Sequence, residues 1–244
     1  MGTIAQPPGI LTAYDTVGSY DQDAINGFSE QTLTSMLDIV DPAHTSRIMD
    51  AMAGNGNLTV RLYNYCTQRG IAPPDVTVLE FSRVQCDLGK KHLAHTPAQV
   101  IWGNVLTMED YDKNEFIPAN TFDAVMIKSG NHEIPLDQQL KIYKSVFHVL
   151  KPGGLFINLG FLFDDAGERD EFREVSRSKD SLAGMQSAAE NRHFLTRDEF
   201  YGRLQEAEFR DILCAAHVPY VIRLSIAIQA YFLPSEQDRA SADI

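Results

Sequence analysis

The chain has 244 residues, 44% of them hydrophobic, and a formal net charge of −12. That is enough apolar material for one sizeable α/β domain. So acidic a balance excludes the broad basic footprint of a nucleic-acid binder or of a protein held to an anionic membrane. No apolar run reaches the roughly 18 residues a membrane span needs; the best stretch, Val218 to Leu233, is broken by Arg223 and Gln229. The opening Met1-Gly2-Thr3-Ile4-Ala5-Gln6 has neither a basic nor an apolar leader segment, so no secretory signal is expected. Gln6 also stands where a myristoylation motif wants Ser or Thr. Cys66, Cys86 and Cys214 are widely spaced and form no metal-ligand pattern. They read as reduced, buried thiols of a cytoplasmic protein.

In chain order, residues 1–40 carry Tyr14, Tyr20 and Phe28 among polar neighbours and are expected to cap the ligand end of the fold. Ile48-Met49-Asp50 closes a first strand, and Leu58 to Gly70 reads as a helix ended by glycine. Val76 to Glu80 is a β-branched strand ending at a second acidic residue, and Arg83 to Leu93 is helical. Val100-Ile101-Trp102 and Phe122 to Ile127 are a third and a fourth strand. Gln138 to Leu150 places Leu140, Tyr143, Phe147 and Leu150 on one helical face. Pro152-Gly153-Gly154 then turns into a fifth strand, Leu155 to Leu159. Strands alternating with helices at this pace imply right-handed crossovers and a largely parallel sheet. A polar helical stretch, 164–208, is longer than a crossover needs and reads as a lid. Residues 209–233 look like two strands that add an antiparallel edge. With no repeat, low-complexity tract or linker, the whole chain, 1–244, reads as a single domain.

The most informative segment is Arg47 to Thr59. A strand stops at Asp50 and passes through Gly54 and Gly56 into a helix. Glycine admits a left-handed backbone and lets a ligand approach closely, while the helix start aims unpaired N–H groups at it. Asp50 would repel a phosphate, so the guest is expected to carry an amine or a hydroxyl. The nicotinamide fingerprint G-x-G-x-x-G is incomplete, because Thr59 stands in place of the third glycine. A dehydrogenase is disfavoured for both reasons.

In an open parallel sheet, ligands bind beyond the C-terminal strand ends. There fall Asp50, Glu80, Asn104 and the cluster Asn131-His132-Glu133. Glu80 suits the two hydroxyls of a ribose, Phe81 a purine face and Asn104 an adenine edge. Together they suggest a nucleoside joined to an amino acid. This set resembles the class I S-adenosylmethionine-dependent methyltransferase family. The resemblance rests on Asp50-Ala-Met-Ala-Gly54-Asn-Gly56, Glu80, Gly103-Asn104, Phe122-Asp-Ala-Val-Met126 and Leu150-Lys-Pro-Gly153-Gly154, over roughly 45–160. Phe194 to Phe200 adds a weaker echo. Two departures stand out: Met52 where the family usually has glycine, and Asn104 where it usually has aspartate.

The resemblance implies a Rossmann-like fold with a seven-stranded, mostly parallel sheet whose last strand is antiparallel. Its cofactor-binding core would be 45–160, with N-terminal and lid helices around it. It implies S-adenosyl-L-methionine as cofactor, held by Asp50, Ala51, Ala53, Gly54, Gly56, Glu80, Phe81, Asn104, Val105, Lys128 and Ser129. Methyl transfer chiefly needs alignment and exclusion of water. Where the nucleophile must lose a proton, His132 is the expected base, because an imidazole titrates near pH 6.5. Glu133 is its partner or substitute. Tyr14, Tyr20, His132 and Phe161 are expected to meet a small-molecule acceptor through oxygen, nitrogen or carbon. A homodimer is left open. No metal site is expected, since Pro135 breaks any helix that would align His132, Glu133 and Asp137. Three alternatives stand beside this reading: a rearrangement or cyclisation steered by the sulfonium, a non-catalytic binding module, and a methyltransferase of macromolecules. The acidic charge disfavours the last.

Overall fold

The computed structural model describes residues 28–182 and 191–214. The first described helix, α1 (Glu30–Val40), starts where the Ser29 hydroxyl accepts from the Thr32 N–H. Its Leu33, Met36, Leu37 and Val40 bury one face at helical spacing. Then come β1 (Arg47–Ala51), α2 (Asn57–Arg69), β2 (Asp75–Glu80), α3 (Arg83–His92) and β3 (Gln99–Asn104). Two short strands follow, β4 (Glu109–Asp110) and β5 (Glu115–Phe116), then β6 (Phe122–Lys128), α4 (Leu136–Val149) and β7 (Leu150–Leu159). After β8 (Leu162–Phe163) come α5 (Ala166–Leu182), β9 (Leu195–Thr196) and α6 (Arg197–Glu206).

Among the described residues the sheet has seven strands in the order β5-β4-β3-β2-β1-β6-β7. β1 pairs parallel with both β2 and β6, and β3 and β7 extend the sheet in parallel on either side. The chain winds outward from β1 to β3 and then returns to lay β6 on the other side of β1. That reversal opens a crevice at the C-terminal ends of β1 and β6. Successive residues of the central strands face opposite layers. Ile48, Ala124 and Met126 join Leu37, Leu58 and Leu62 beneath α1 and α2. Met49, Ala51, Val125 and Ile127 join Ile142, Val146, Phe200 and Leu204 beneath α4 and α6. A sheet covered on both faces explains the solid apolar runs of β1 and β6.

The α/β, Rossmann-like, seven-stranded arrangement is as expected, with its antiparallel pairings in β4 and β5, beyond β3. These two-residue strands are too short to leave a periodic pattern in sequence. Residues 209–214 form no strand, and the rest of the predicted C-terminal pair lies outside the described residues. The buried face of α4 is Gln139, Ile142, Tyr143, Val146 and Val149; Phe147 is exposed, a rotation of the predicted stripe. Exposed Cys214 also departs from the expected burial, whereas Cys66 and Cys86 are buried. Residues 1–212 form one compact unit and 213–244 a second. Among the described residues no helix is long and apolar enough to cross a membrane.

Candidate active site

Asp50 ends β1 almost wholly buried, at 1% exposure. Its Oδ2 accepts from the Thr59 hydroxyl at 2.7 Å, and Thr59 sits in the first turn of α2. Its Oδ1 is buried with no partner. Burial pushes the Asp50 pKa up to about 6, against the pull of the Thr59 hydroxyl and the nearby Lys128 charge. Between β1 and α2 the backbone turns left-handed three times, at Met52, Gly54 and Gly56, with φ of 55°, 57° and 79°. Met52 therefore takes a conformation in which glycine is at ease and a long side chain is strained.

Glu80, at the end of the neighbouring β2, closes this turn from the side. Its Oε2 accepts from the Gly54 N–H and its Oε1 from the Ser82 N–H, both at 2.7 Å. Burial raises its pKa, opposed by those backbone donors. Each carboxylate oxygen keeps a lone pair for a further donor. Ala51 and Ala53 are buried beneath the turn, and Asn55 Oδ1 is a second buried oxygen without a partner.

Beyond β3, Asn104 uses its Oδ1 to accept from the Leu106 N–H at 2.9 Å, which shapes the turn before β4. Val105 is buried beside it. Phe81 stands edge-on to Tyr111, and Tyr111 edge-on to Trp102, with centroids 5.8 and 5.1 Å apart. The Trp102 ring N–H donates to the Phe81 carbonyl at 2.8 Å. This aromatic wall was only partly legible in the sequence, where Phe81 alone stood out.

Lys128 ends β6 and Ser129 follows it; both are buried, with Ser129 at φ 58°. The next residues form a single 3-10 turn, Asn131–Glu133. It carries His132, 5% exposed, against the flat face of Phe194, centroids 5.2 Å apart, and edge-on to Phe161 at 5.3 Å. Arg192 Nη1 lies 3.0 Å from His132 Nε2. A guanidinium only donates, so Nε2 accepts and Nδ1 carries the ring proton. Burial, helped by Arg192 and His193, holds the His132 pKa well below the usual histidine value. Glu133 is half-buried and closes the turn through its N–H to the Gly130 carbonyl at 3.0 Å.

The structure thus brings Asp50, Ala51, Ala53, Gly54, Gly56 and Glu80 together around one turn. Phe81, Asn104 and Val105 lie on the β3 side, and Lys128, Ser129, His132, Glu133 and Phe161 on the β6 side. Tyr14 and Tyr20 lie outside the described residues. Sequence reasoning missed Thr59, Asn55, Tyr111 and Arg192. Thr59 had a usable signal, a hydroxyl one turn into the helix that follows the glycines.

Residues 48–154, spanning this entire turn, the strands from β1 to β6 and the start of β7, match the family described as methyltransferase domain. Through these residues the chain carries a methyltransferase domain and is similar to the class I S-adenosylmethionine-dependent methyltransferases. A curated relative of this methyltransferase domain is the ubiquinone/menaquinone biosynthesis C-methyltransferase UbiE of Yersinia enterocolitica. It is 27% identical over 115 residues, which are 47% of this chain and 42% of the relative. The match therefore spans under half of that protein's length. A solved S-adenosylmethionine-dependent methyltransferase of Leishmania major superposes with a TM-score of 0.55 at 18% identity, over 84% of this chain and 73% of that one. Human N-acetylserotonin methyltransferase, solved with S-adenosylmethionine, gives 0.53 at 16% identity, over 84% and 61%. At these identities the two structures establish a shared fold.

Proposed function

We propose that this methyltransferase moves a methyl group from S-adenosylmethionine to an oxygen or nitrogen of a small molecule. The observation that carries the reading is the pair of buried carboxylates, Asp50 and Glu80, flanking the left-handed turn at the switch point. Asp50 Oδ1 is an unpartnered buried acceptor, and such atoms are rare unless something fills them. An ammonium group fits it by charge and by hydrogen bonding. Glu80, anchored by two backbone donors, presents its remaining lone pairs to a ribose diol. Phe81 and the Asn104–Val105 turn bound the adenine side, and Lys128 and Ser129 the side next to Asp50. These residues fit the cofactor.

S-adenosylmethionine, once bound, supplies an activated methyl carbon. This chain's part is to fix the two reactants in line and to keep water out. His132 is the base we assign to an acceptor that must lose a proton. Its ring is neutral at pH 7, as a base must be, and it takes the proton at Nε2 when Arg192 releases that atom. Calorimetry with S-adenosylhomocysteine tests the cofactor assignment: saturable heat is expected, and its absence at millimolar ligand sinks it.

A further inference from the structure

His132 lines a narrow cleft between the 129–133 loop and α4, and one short segment of the chain binds it there. The His193 N–H donates to the His132 carbonyl at 2.6 Å, and the Phe194 ring lies flat against the imidazole, centroids 5.2 Å apart. Gln139, 0% exposed, ties that segment to the turn: its Nε2 lies within 3.0 Å of the His193, Asn131 and Ile134 carbonyls. Arg192 is the remaining contact, with Nη1 3.0 Å from His132 Nε2.

These contacts divide the work of orienting the ring. Phe194 fixes the plane of the imidazole but not its rotation within that plane. A ring turned over would present a C–H to Arg192 where the Nε2 lone pair now lies, so the guanidinium decides which edge faces it. It also decides the tautomer, because a group that only donates demands an unprotonated Nε2 and leaves the ring hydrogen on Nδ1. The familiar partner of a catalytic histidine is a carboxylate, which accepts from one ring nitrogen and leaves the other free to take a proton. Arg192 does the reverse and occupies the lone pair that the base must use. Contact with Arg192 and protonation at Nε2 therefore exclude one another. The charges that act on the ring, those of Arg192 and His193, both oppose its protonation, and the rings packed on it, Phe161 and Phe194, carry none.

We infer that Arg192 is a positioning residue, which holds His132 as the Nδ1–H tautomer and yields Nε2 only to another hydrogen-bond donor, the methyl acceptor itself. The inference rests on the reading of His132 as the base. The acceptor's O–H or N–H takes the place of the guanidinium, so one hydrogen bond is exchanged for another. As the acceptor atom forms its bond to the methyl carbon, the carbon–sulfur bond breaks with its electrons to sulfur, and the acceptor proton passes to Nε2. The imidazolium repels Arg192 and has no lone pair to offer it. The contact re-forms only after that proton is lost to water.

The test is nitrogen NMR of the isotope-labelled full chain, without cofactor or acceptor, with His132 assigned by the signals that His132→Gln removes. At pH 7 the ring should show a protonated Nδ1 and an unprotonated Nε2. In Arg192→Met that pattern should give way to a ring protonated at Nε2, and the midpoint of its titration should rise by at least about one pH unit, the usual worth of a charge this close. Arg192→Lys keeps a charged donor and should retain the Nδ1–H tautomer. A proton on Nε2 in the unaltered chain overturns the inference, and so does a tautomer and midpoint that survive Arg192→Met. Should that variant fail to fold, the tautomer of the unaltered chain still decides. None of these signals depends on turnover, so they strike the role of Arg192 alone, whereas a His132→Ala variant that keeps its kcat strikes the base reading.

Discussion

The two sides of the crevice are built differently. On the β1–α2 side the carboxylates are held by backbone N–H groups and by a hydroxyl in the first turn of α2, from partners 2, 9 and 26 residues away. On the β6–β7 side, side chains from the 129–133 loop, α4, residues 158–162 and residues 193–200 converge, leaving four oxygens unpartnered. The first is a turn preorganised by backbone donors, and the second is assembled by side chains packed from distant parts of the chain. Preorganised donors cost nothing at the moment of binding. Unpartnered atoms instead penalise every ligand that cannot pair them, which is how a polar site discriminates.

His132 stands on the boundary and gives the largest expected effect. His132→Ala should lower kcat by about 10²–10⁴, the usual worth of general base catalysis, while leaving S-adenosylhomocysteine affinity within about threefold. A preserved kcat would place the imidazole among the walls of the cleft and leave proton removal to solvent.

Glu80→Ala breaks the preformed side. It strands the Gly54 and Ser82 N–H groups and removes the proposed ribose acceptor, so S-adenosylhomocysteine affinity should fall by at least about a hundredfold. An unchanged affinity would detach Glu80 from the ribose.

The same contrast explains what the sequence could reveal. Asp50, the glycine turn, Glu80 and the strand alternation that places them are local patterns, because a backbone-built site is written into adjacent residues. Gln139 and Tyr143 looked like ordinary members of a helical face, and only packing against Asn131, Asn158 and His193 makes them a polar cleft. Arg192 was invisible for the same reason: its contact with His132 spans 60 residues. The predicted stripe of α4 was rotated because it counted Leu140 and Phe147 as core and passed over a fully buried glutamine.

Thr59→Val separates charge from shape on the cofactor side. In the ligand-free chain Asp50 has a pKa raised to about 6 from 3.8. The folded state therefore holds this proton more tightly than the unfolded one. The contribution of Asp50 to stability falls as pH rises from about 4 to about 6, by roughly 3 kcal/mol in all. An ammonium guest prefers the ionised form, so S-adenosylhomocysteine affinity should climb over the same range. Losing the Thr59 hydroxyl removes a bond that favours the ionised carboxylate. The midpoint of that climb should move up by about one pH unit, read by calorimetry between pH 5 and 8. An affinity independent of pH would detach Asp50 from the ammonium.

The smallest effect concerns the seam between the two sides. A Cβ added to Gly130 would lie 2.7 Å from both Cβ and Sδ of Met52. The φ of Gly130 is −93°, which any residue tolerates, so the conflict is steric alone. Gly130→Ala should therefore destabilise the chain by about 1–3 kcal/mol through overpacking. Met52→Gly relieves the strained φ of the turn, at about 1–2 kcal/mol, but forfeits the contact with the loop, so alone it should be nearly neutral. In the Met52→Gly background Gly130→Ala should cost less than about 0.5 kcal/mol, a coupling that urea unfolding of the four chains measures. Additive costs would mean that Met52 and Gly130 were not fitted to one another. Strong coupling would identify Met52 as the residue that ties the β1–α2 turn to the 129–133 loop.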